Sequence, residues 1–114
     1  MDTVAISIVP RDKGLSDPMD DRFGRAEAFL LVDRATGEAV ETIDNASVHA
    51  SHGAGTGVAS MLKSAGVDAV ISGRFGPKAF DALQVLGMEV WLAPPGITAG
   101  EALRLLEEGS LEQM

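Results

Sequence analysis

Apolar residues in the first half of the chain form continuous runs rather than helical stripes. Three such runs end at turn residues and predict strands at residues 3–9, 28–33 and 39–44. The Thr36-Gly37 turn joins the second and third strands into a hairpin. The unbroken apolarity of the first run is typical of a central strand that is covered on both faces. Between it and the hairpin, residues 10–26 form a polar connection long enough to be a functional loop.

The second half alternates between helical stripes and short apolar runs. Stripes predict helices at about residues 56–65, from Pro77 to Gly87 and from Thr98 to Gly109. Two further strands are predicted at residues 68–72 and 88–92. Alternating strands and helices require a parallel sheet with right-handed crossovers. We therefore predict a single α/β domain over residues 1–114, with five strands and three helices.

The amino-acid composition excludes several kinds of site and partner. The chain of 114 residues is long enough to bury a core without a metal or disulfide, and it contains no cysteine, which excludes thiolate ligands and a cysteine nucleophile. Its net charge of -8 argues against a nucleic-acid partner. No apolar run reaches the roughly 20 residues of a membrane helix, and no basic and apolar signal segment opens the sequence. We expect a cytoplasmic protein that binds neither nucleic acid nor membrane.

Both histidines lie in one glycine-rich stretch between the third strand and the first helix. Residues 45–57 read NASVHASHGAGTG, which places His49 and His52 three residues apart, with Gly53 and Gly55 directly after them. Imidazoles at such a place are candidate metal ligands, and copper, molybdenum and iron all accept them. A surface or capping histidine is the competing interpretation, and the residues alone favour it. No Gly-Lys-Ser/Thr follows, so the stretch does not match a phosphate-binding loop.

Three motifs, taken in chain order, resemble the dinitrogenase iron–molybdenum cofactor family. They read DRFGRA at 21–26, HGAG at 52–55 and GRFGPKAF at 73–80, and the resemblance spans nearly the whole chain. It implies a ribonuclease H-like fold, with a mixed five-stranded sheet of order 3-2-1-4-5 in which strand 2 is antiparallel. In this order the loops after strands one, three and four leave from the same edge of the sheet. The three motifs are then expected to meet there.

The family includes carriers of the nitrogenase cofactor and its precursors, and orange proteins that hold a molybdenum–copper sulfide cluster. The resemblance implies His52 as a metal ligand, because Gly53 and Gly55 follow it as in the family motif. His49 falls outside the motif position and is an additional ligand candidate. The implied cargo is a molybdenum–copper sulfide cluster or the iron–molybdenum cofactor or its precursor, with a protein partner that delivers or receives it.

A metal–sulfur cluster is a bulky anion, and a chain without thiolates has to hold one with imidazole, cationic side chains and backbone N–H groups. Six of the nine Lys and Arg residues lie in or beside the three loops: Arg11, Lys13, Arg22, Arg25, Arg74 and Lys78. We predict that Arg22, Arg25 and Arg74 support the cargo electrostatically. The aspartates of the first loop oppose this positive potential.

Other interpretations stay open. Phe23 and Phe75 are most typical of core or lid residues that cover the sheet edge. Phe23 is nevertheless assigned to the cofactor site, because such a ring also suits the apolar wall of a cofactor pocket. The second hypothesis is a metal-free regulatory or adaptor domain that uses the edge with Phe23 and Phe75 for protein contacts. Met19 offers a thioether that copper(I) accepts. Asp20 and Asp21 suggest a divalent-metal hydrolase, but the first strand carries none of the acids that such a site needs. The favoured prediction is a carrier that is not an enzyme.

Overall fold

The computed structural model describes residues 3–45 and 54–114, which form a mixed sheet with helices on both faces. The strands are β1 Thr3–Ile8, β2 Ala28–Asp33, β3 Glu38–Asp44, β4 Ala69–Ser72, β5 Glu89–Leu92 and β6 Glu112–Gln113. The helices are α1 Ala54–Ser64, α2 Pro77–Val85 and α3 Ala99–Glu107. In the described part of the chain, no helix is long and apolar enough to cross a membrane.

The strands are arranged in the order β3-β2-β1-β4-β5-β6. β2 is antiparallel to both of its neighbours, whereas β1, β4 and β5 are parallel to one another. This confirms the predicted order of the first five strands and the antiparallel second strand. The predicted number of strands was wrong, because β6 adds a sixth strand that pairs antiparallel with β5. The first helix also begins at Ala54, slightly before the predicted start near residue 56.

The central strands are covered on both faces, as their apolarity predicts. Successive side chains of a strand point to opposite sides of the sheet. In β1, Val4, Ile6 and Ile8 pack in a core with α3, whereas Ala5 packs in a second core with α1 and α2. Both cores continue through β2 and β4. Because β1, β3 and β4 run in the same direction, the segments that follow them leave from one edge of the sheet.

Helix α3 begins with the capping box that the sequence predicts. The Thr98 hydroxyl oxygen accepts a hydrogen bond from the Glu101 N–H at 3.2 Å, and Glu101 Oε1 accepts one from the Thr98 N–H at 3.0 Å. Two N–H groups that the helix leaves without an internal partner are satisfied in this way. The box therefore stabilises the turn that leads from β5 into α3.

Replacing Thr98 by alanine removes one half of this box, and we expect it to lower the free energy of unfolding by about 1 kcal/mol. Thr98→Ser keeps a hydroxyl acceptor and is expected to lose only a fraction of that value. Urea unfolding of the three proteins measures the difference. Equal losses in both variants would mean that the hydroxyl does not cap the helix.

Candidate functional site

The long connection between β1 and β2 folds back onto the edge of the sheet. Its backbone is held by hydrogen bonds from the Val9 N–H to the Pro18 carbonyl at 2.9 Å and from the Asp20 N–H to the Ser7 carbonyl at 2.8 Å. A further bond joins the Met19 N–H to the Ile97 carbonyl at 2.9 Å. The loop is thus tied both to the end of β1 and to the segment before α3.

Two buried serines lie beneath this loop. Ser7 and Ser72 are in the neighbouring parallel strands β1 and β4, and both are fully buried. Ser7 Oγ is 2.6 Å from the Asp20 carbonyl oxygen and 2.7 Å from Ser72 Oγ, and Ser72 Oγ is 3.2 Å from the same carbonyl. Each hydroxyl has one proton, so one donates to the carbonyl while the other donates to its neighbour. The main chain of Asp20 is therefore anchored to the two central strands.

The Asp20 side chain in turn holds Arg22. Asp20 Oδ1 accepts hydrogen bonds from the backbone N–H of Arg22 at 2.9 Å and from its Nε at 3.3 Å, and Oδ2 accepts one from Nη2 at 3.3 Å. The carboxylate is only 6% exposed, whereas the Arg22 side chain is 53% exposed. The hydrogen bond and the negative charge of Asp20 raise the pKa of Arg22. Arg22 is thus a fixed cation at the surface.

The loop after β4 lies directly against the loop after β1. Arg22 and Arg74 face each other in an isolated parallel β-bridge, and the Phe23 N–H donates to the Arg74 carbonyl at 3.1 Å. Gly73 permits this close approach, because a Cβ there would lie 3.0 Å from the Asp21 Cα and 3.1 Å from its carbonyl oxygen. The first and third sequence motifs therefore meet, as the strand order predicts.

An open cleft of about 380 Å³ lies where the two loops meet. It is lined by Val9, Met19, Asp20, Asp21, Arg22 and Arg74. Two arginines thus line the same space from two different loops. Their positive charge is balanced by the two aspartates, so the lining as a whole is formally neutral. An anion in this cleft would depend on how the guanidinium groups are oriented, since net charge alone does not attract it.

Phe23 lies in the core rather than on the cleft. Its side chain is 1% exposed, and its ring centroid is 5.4 Å from that of Phe29 and 4.9 Å from that of Phe75. The three rings belong to the core that α1 and α2 cover. Phe23 thereby fixes the loop that carries Arg22. Its assignment to the cofactor site stays a prediction, and Phe75 is likewise largely buried, with 9% exposure.

The histidine stretch is described only at its two ends. His49, His52 and Gly53 lie outside the described residues, and Gly55 falls in the first turn of α1. At the other end, Asn45 Nδ2 donates to the carbonyls of Ala26 at 2.8 Å and Gly24 at 3.3 Å. Asn45, the last described residue before the histidines, therefore lies beside the first motif. Their role as ligands stays a prediction.

Other predicted cations are more dispersed than the sequence suggests. Arg11, Lys13 and Lys78 are exposed and Arg25 is half-buried. None of these four lines the cleft described above. Met19 does line it, but the side chain is only 5% exposed and also packs in the core with α3. Of the six cations predicted to lie near the three loops, Arg22 and Arg74 are the two that line this cleft.

Two aspartates of the first loop, Asp17 and Asp20, bind protein groups. Asp20 is engaged by Arg22, and Asp17 Oδ1 accepts the backbone N–H of Lys13 at 3.2 Å. Over residues 3–45 and 54–114, no group of three or more His, Asp or Glu side chains is placed to hold a metal ion. Within these residues, the aspartates of the first loop therefore do not form the carboxylate cluster of a two-metal site.

Sequence reasoning missed Ser7, Ser72 and the role of Asp20 as the partner of Arg22. A signal for the serines exists, since each is a polar residue near the C-terminal end of a largely apolar strand. A polar side chain that is buried at such a position needs a hydrogen-bond partner. For Asp20 the signal is a carboxylate two residues before an arginine, which suits a local turn.

Residues 4–109 match the family described as dinitrogenase iron–molybdenum cofactor. Because the match covers nearly the whole chain, the protein belongs to this family, which confirms the resemblance carried by the three motifs. The apo form of the orange protein from Desulfovibrio gigas has a TM-score of 0.91 at 38% identity, over 100% of this chain and 93% of that one.

Two further relatives are similar over most of their length. A NifB-like protein from Thermotoga, solved by NMR, has a TM-score of 0.83 at 37% identity, over 99% of this chain and 93% of that one. An uncharacterised protein from Methanocaldococcus jannaschii is 36% identical over 97 residues, which are 83% of this chain and 81% of the relative.

Proposed function

We propose that the protein binds and carries an anionic molybdenum-containing metal–sulfur cluster, as cargo and not as a catalyst. Family membership and the similarity to an orange protein support a cofactor-related or orange-protein-like role. The proposed cargo is a molybdenum–copper sulfide cluster, or the nitrogenase cofactor or its precursor. The mixed strand order supports the ribonuclease H-like description of the fold.

One observation carries this proposal. Two family motifs from different loops meet so that Arg22 and Arg74 line the same open cleft, and Asn45, the last described residue before the histidines, lies beside the first motif. Guanidinium groups are planar donors that suit a large anion with several acceptor atoms. The cleft therefore has the donors for the outer atoms of such a cluster.

The described residues of the cleft can bind the negative outer atoms of the cargo more readily than they can coordinate its metals. Guanidinium groups donate hydrogen bonds to sulfide or oxide but do not coordinate a metal, and the chain has no thiolate. Imidazole is then the leading candidate for a bond to a metal of the cluster, with His52 ahead of His49 because of its motif position, and the Met19 thioether is the alternative for copper(I). We infer a site in which arginines hold the anion and a histidine adds a metal bond.

The direct experiment is a visible absorption spectrum and elemental analysis of protein purified anaerobically from its native source. We expect sulfide-to-metal bands and stoichiometric molybdenum, with or without copper. Colourless, metal-free protein that also refuses a reconstituted cluster would contradict the proposal. That result would favour a metal-free adaptor instead.

Site variants separate the two kinds of contact. We expect Arg22→Ala and Arg74→Ala each to weaken retention of reconstituted cluster through gel filtration by about fivefold, because each removes one charged donor. The loss should grow as salt screens the remaining charge. Arg34→Ala is the matched control, since Arg34 pairs with Glu89 at the opposite edge of the sheet. Unchanged retention in both cleft variants would remove the arginines from the site.

The histidines are compared in the same assay. We expect His52→Ala to lower retention more than His49→Ala. Equal retention by the two variants and the unmodified protein would remove His52 from the ligand set and leave the arginines as the main holding groups.

A further inference from the structure

The cleft has a property that net charge does not explain. Two aspartates and two arginines are part of its lining, so its formal charge is zero. A surface with balanced charge does not select an anion by potential alone. Selection must then come from the direction in which the donors point, which makes the group that orients each arginine important.

Asp20 is the most firmly anchored residue of the lining. Its N–H donates to the Ser7 carbonyl at 2.8 Å, and its own carbonyl oxygen is 2.6 Å from Ser7 Oγ and 3.2 Å from Ser72 Oγ. Both main-chain polar groups are therefore bonded to the central strands. The carboxylate of Asp20 is nearly buried, so contact with solvent contributes little to its orientation.

This carboxylate contacts Arg22 at three nitrogen atoms. The backbone N–H and Nε donate to Oδ1, and Nη2 donates to Oδ2. These contacts occupy one side of the guanidinium group. Nη1 makes no hydrogen bond with any other described residue, and the side chain is about half exposed where it lines the cleft. The donors on the outer side are left for a ligand.

We propose that Asp20 is a positioning residue that holds the Arg22 guanidinium with its outer N–H donors available to an anionic cargo in the cleft. The inference rests on the proposed function and deepens it. A long side chain that is already fixed loses less conformational freedom when it binds. Asp20 therefore favours anion binding although it carries a negative charge itself.

This role predicts that Asp20→Asn lowers the affinity for an anion, whereas simple electrostatics predicts a higher affinity. Asp20→Asn removes one negative charge from the lining, so an account based on charge alone predicts tighter binding of an anion. Positioning predicts weaker binding, by about threefold to tenfold, because the charge-assisted contacts to Nε and Nη2 are lost. The probe is a reconstituted molybdenum–copper sulfide cluster, and its affinity is measured by titration of the visible absorption.

Asp21→Asn is the matched control. Asp21 is the next residue, lines the same cleft and is exposed, and its carboxylate makes no hydrogen bond with the described residues. The same chemical change at this position removes a charge without releasing Arg22. We expect Asp21→Asn to bind the anion more tightly, because the lining loses a negative charge, whereas Asp20→Asn binds it more weakly.

A double variant tests whether Asp20 acts through Arg22. In an Arg22→Ala background, Asp20→Asn should no longer weaken binding, because no guanidinium remains to be oriented. A general structural role of Asp20 would weaken binding in both backgrounds. If Asp20→Asn fails to fold, Arg22→Lys serves in its place. Lysine keeps the positive charge but cannot make the same bidentate contact with the Asp20 carboxylate. It should bind several-fold more weakly than the unmodified protein.

The outcomes are distinguishable. Tighter binding by both asparagine variants, or full affinity in Arg22→Lys, would overturn the positioning role while leaving the carrier function in place. Failure of the unmodified protein to bind the probe would overturn the proposed function for the molybdenum–copper sulfide cargo, and the positioning role with it. Weaker binding by Asp20→Asn alone supports the inference.

Discussion

Replacing Phe23 by alanine is expected to lower the free energy of unfolding by about 3–5 kcal/mol. The ring is almost completely buried and packs edge-on against Phe29 and against the tilted ring of Phe75. Its removal leaves a cavity in the core that α1 and α2 cover. A domain of this size is typically stable by about 5–15 kcal/mol, so the loss is a large share of the total.

Guanidinium chloride unfolding measures this change, and Phe23→Leu is the control. Leucine keeps most of the apolar volume and is expected to cost about 1.5 kcal/mol or less. A loss below 1.5 kcal/mol in Phe23→Ala as well would mean that the ring is not part of the core in solution. The ring would then be available as a wall of the cofactor site or as a partner contact.

We expect Gly73→Ala to cost about 1–3 kcal/mol. The new methyl group would meet the Asp21 Cα at 3.0 Å, its carbonyl oxygen at 3.1 Å and its Oδ1 at 3.1 Å. Two of these are backbone atoms, so a side-chain rotation does not relieve the contact. The loop itself has little room to retreat, because Asp20 is bonded to the serines and Phe23 to Arg74.

Gly76→Ala is the control for this variant. A Cβ at Gly76 meets nothing within 4 Å, and this residue caps α2. The expected cost there is about 1 kcal/mol or less, from the poorer capping by alanine. Urea unfolding and cluster titration should show that Gly73→Ala loses both stability and affinity, since the same contact aligns Arg22 with Arg74. Equal behaviour of the two variants would contradict the close approach of the loops.

The sequence was sufficient to predict the central part of the fold. Continuous apolar runs identify strands that are buried on both sides, and the glycines and the Thr98 capping box mark the limits of the helices. β6 carries no such signal. It has two exposed residues, and what defines it is the pairing of its main chain with Trp91 and Leu92 of β5. Main-chain pairing at an edge depends on where the chain returns in space, which side-chain periodicity does not encode.

The sequence was enough to predict which loops meet at the candidate site, but not which side chains contact each other there. Strand order alone brings the first and third motifs to one edge, and the structure places Arg22 beside Arg74 there. The aspartates were interpreted as groups that oppose the arginines. Whether a carboxylate opposes a cation or orients it depends on distances of a few tenths of an ångström, and these follow from the anchoring of Asp20 by Ser7 and Ser72.

The serine pair also connects the site to the order of folding. Ser7 and Ser72 are 65 residues apart in the chain, so the Asp20 anchor is complete only after β4 has docked beside β1. A partly folded chain therefore lacks the arrangement that an anion would need. A ligand that binds only the native state adds its binding free energy to that state, and it raises the melting temperature as its concentration increases. Loading of the cleft would thus select for molecules whose sheet is complete.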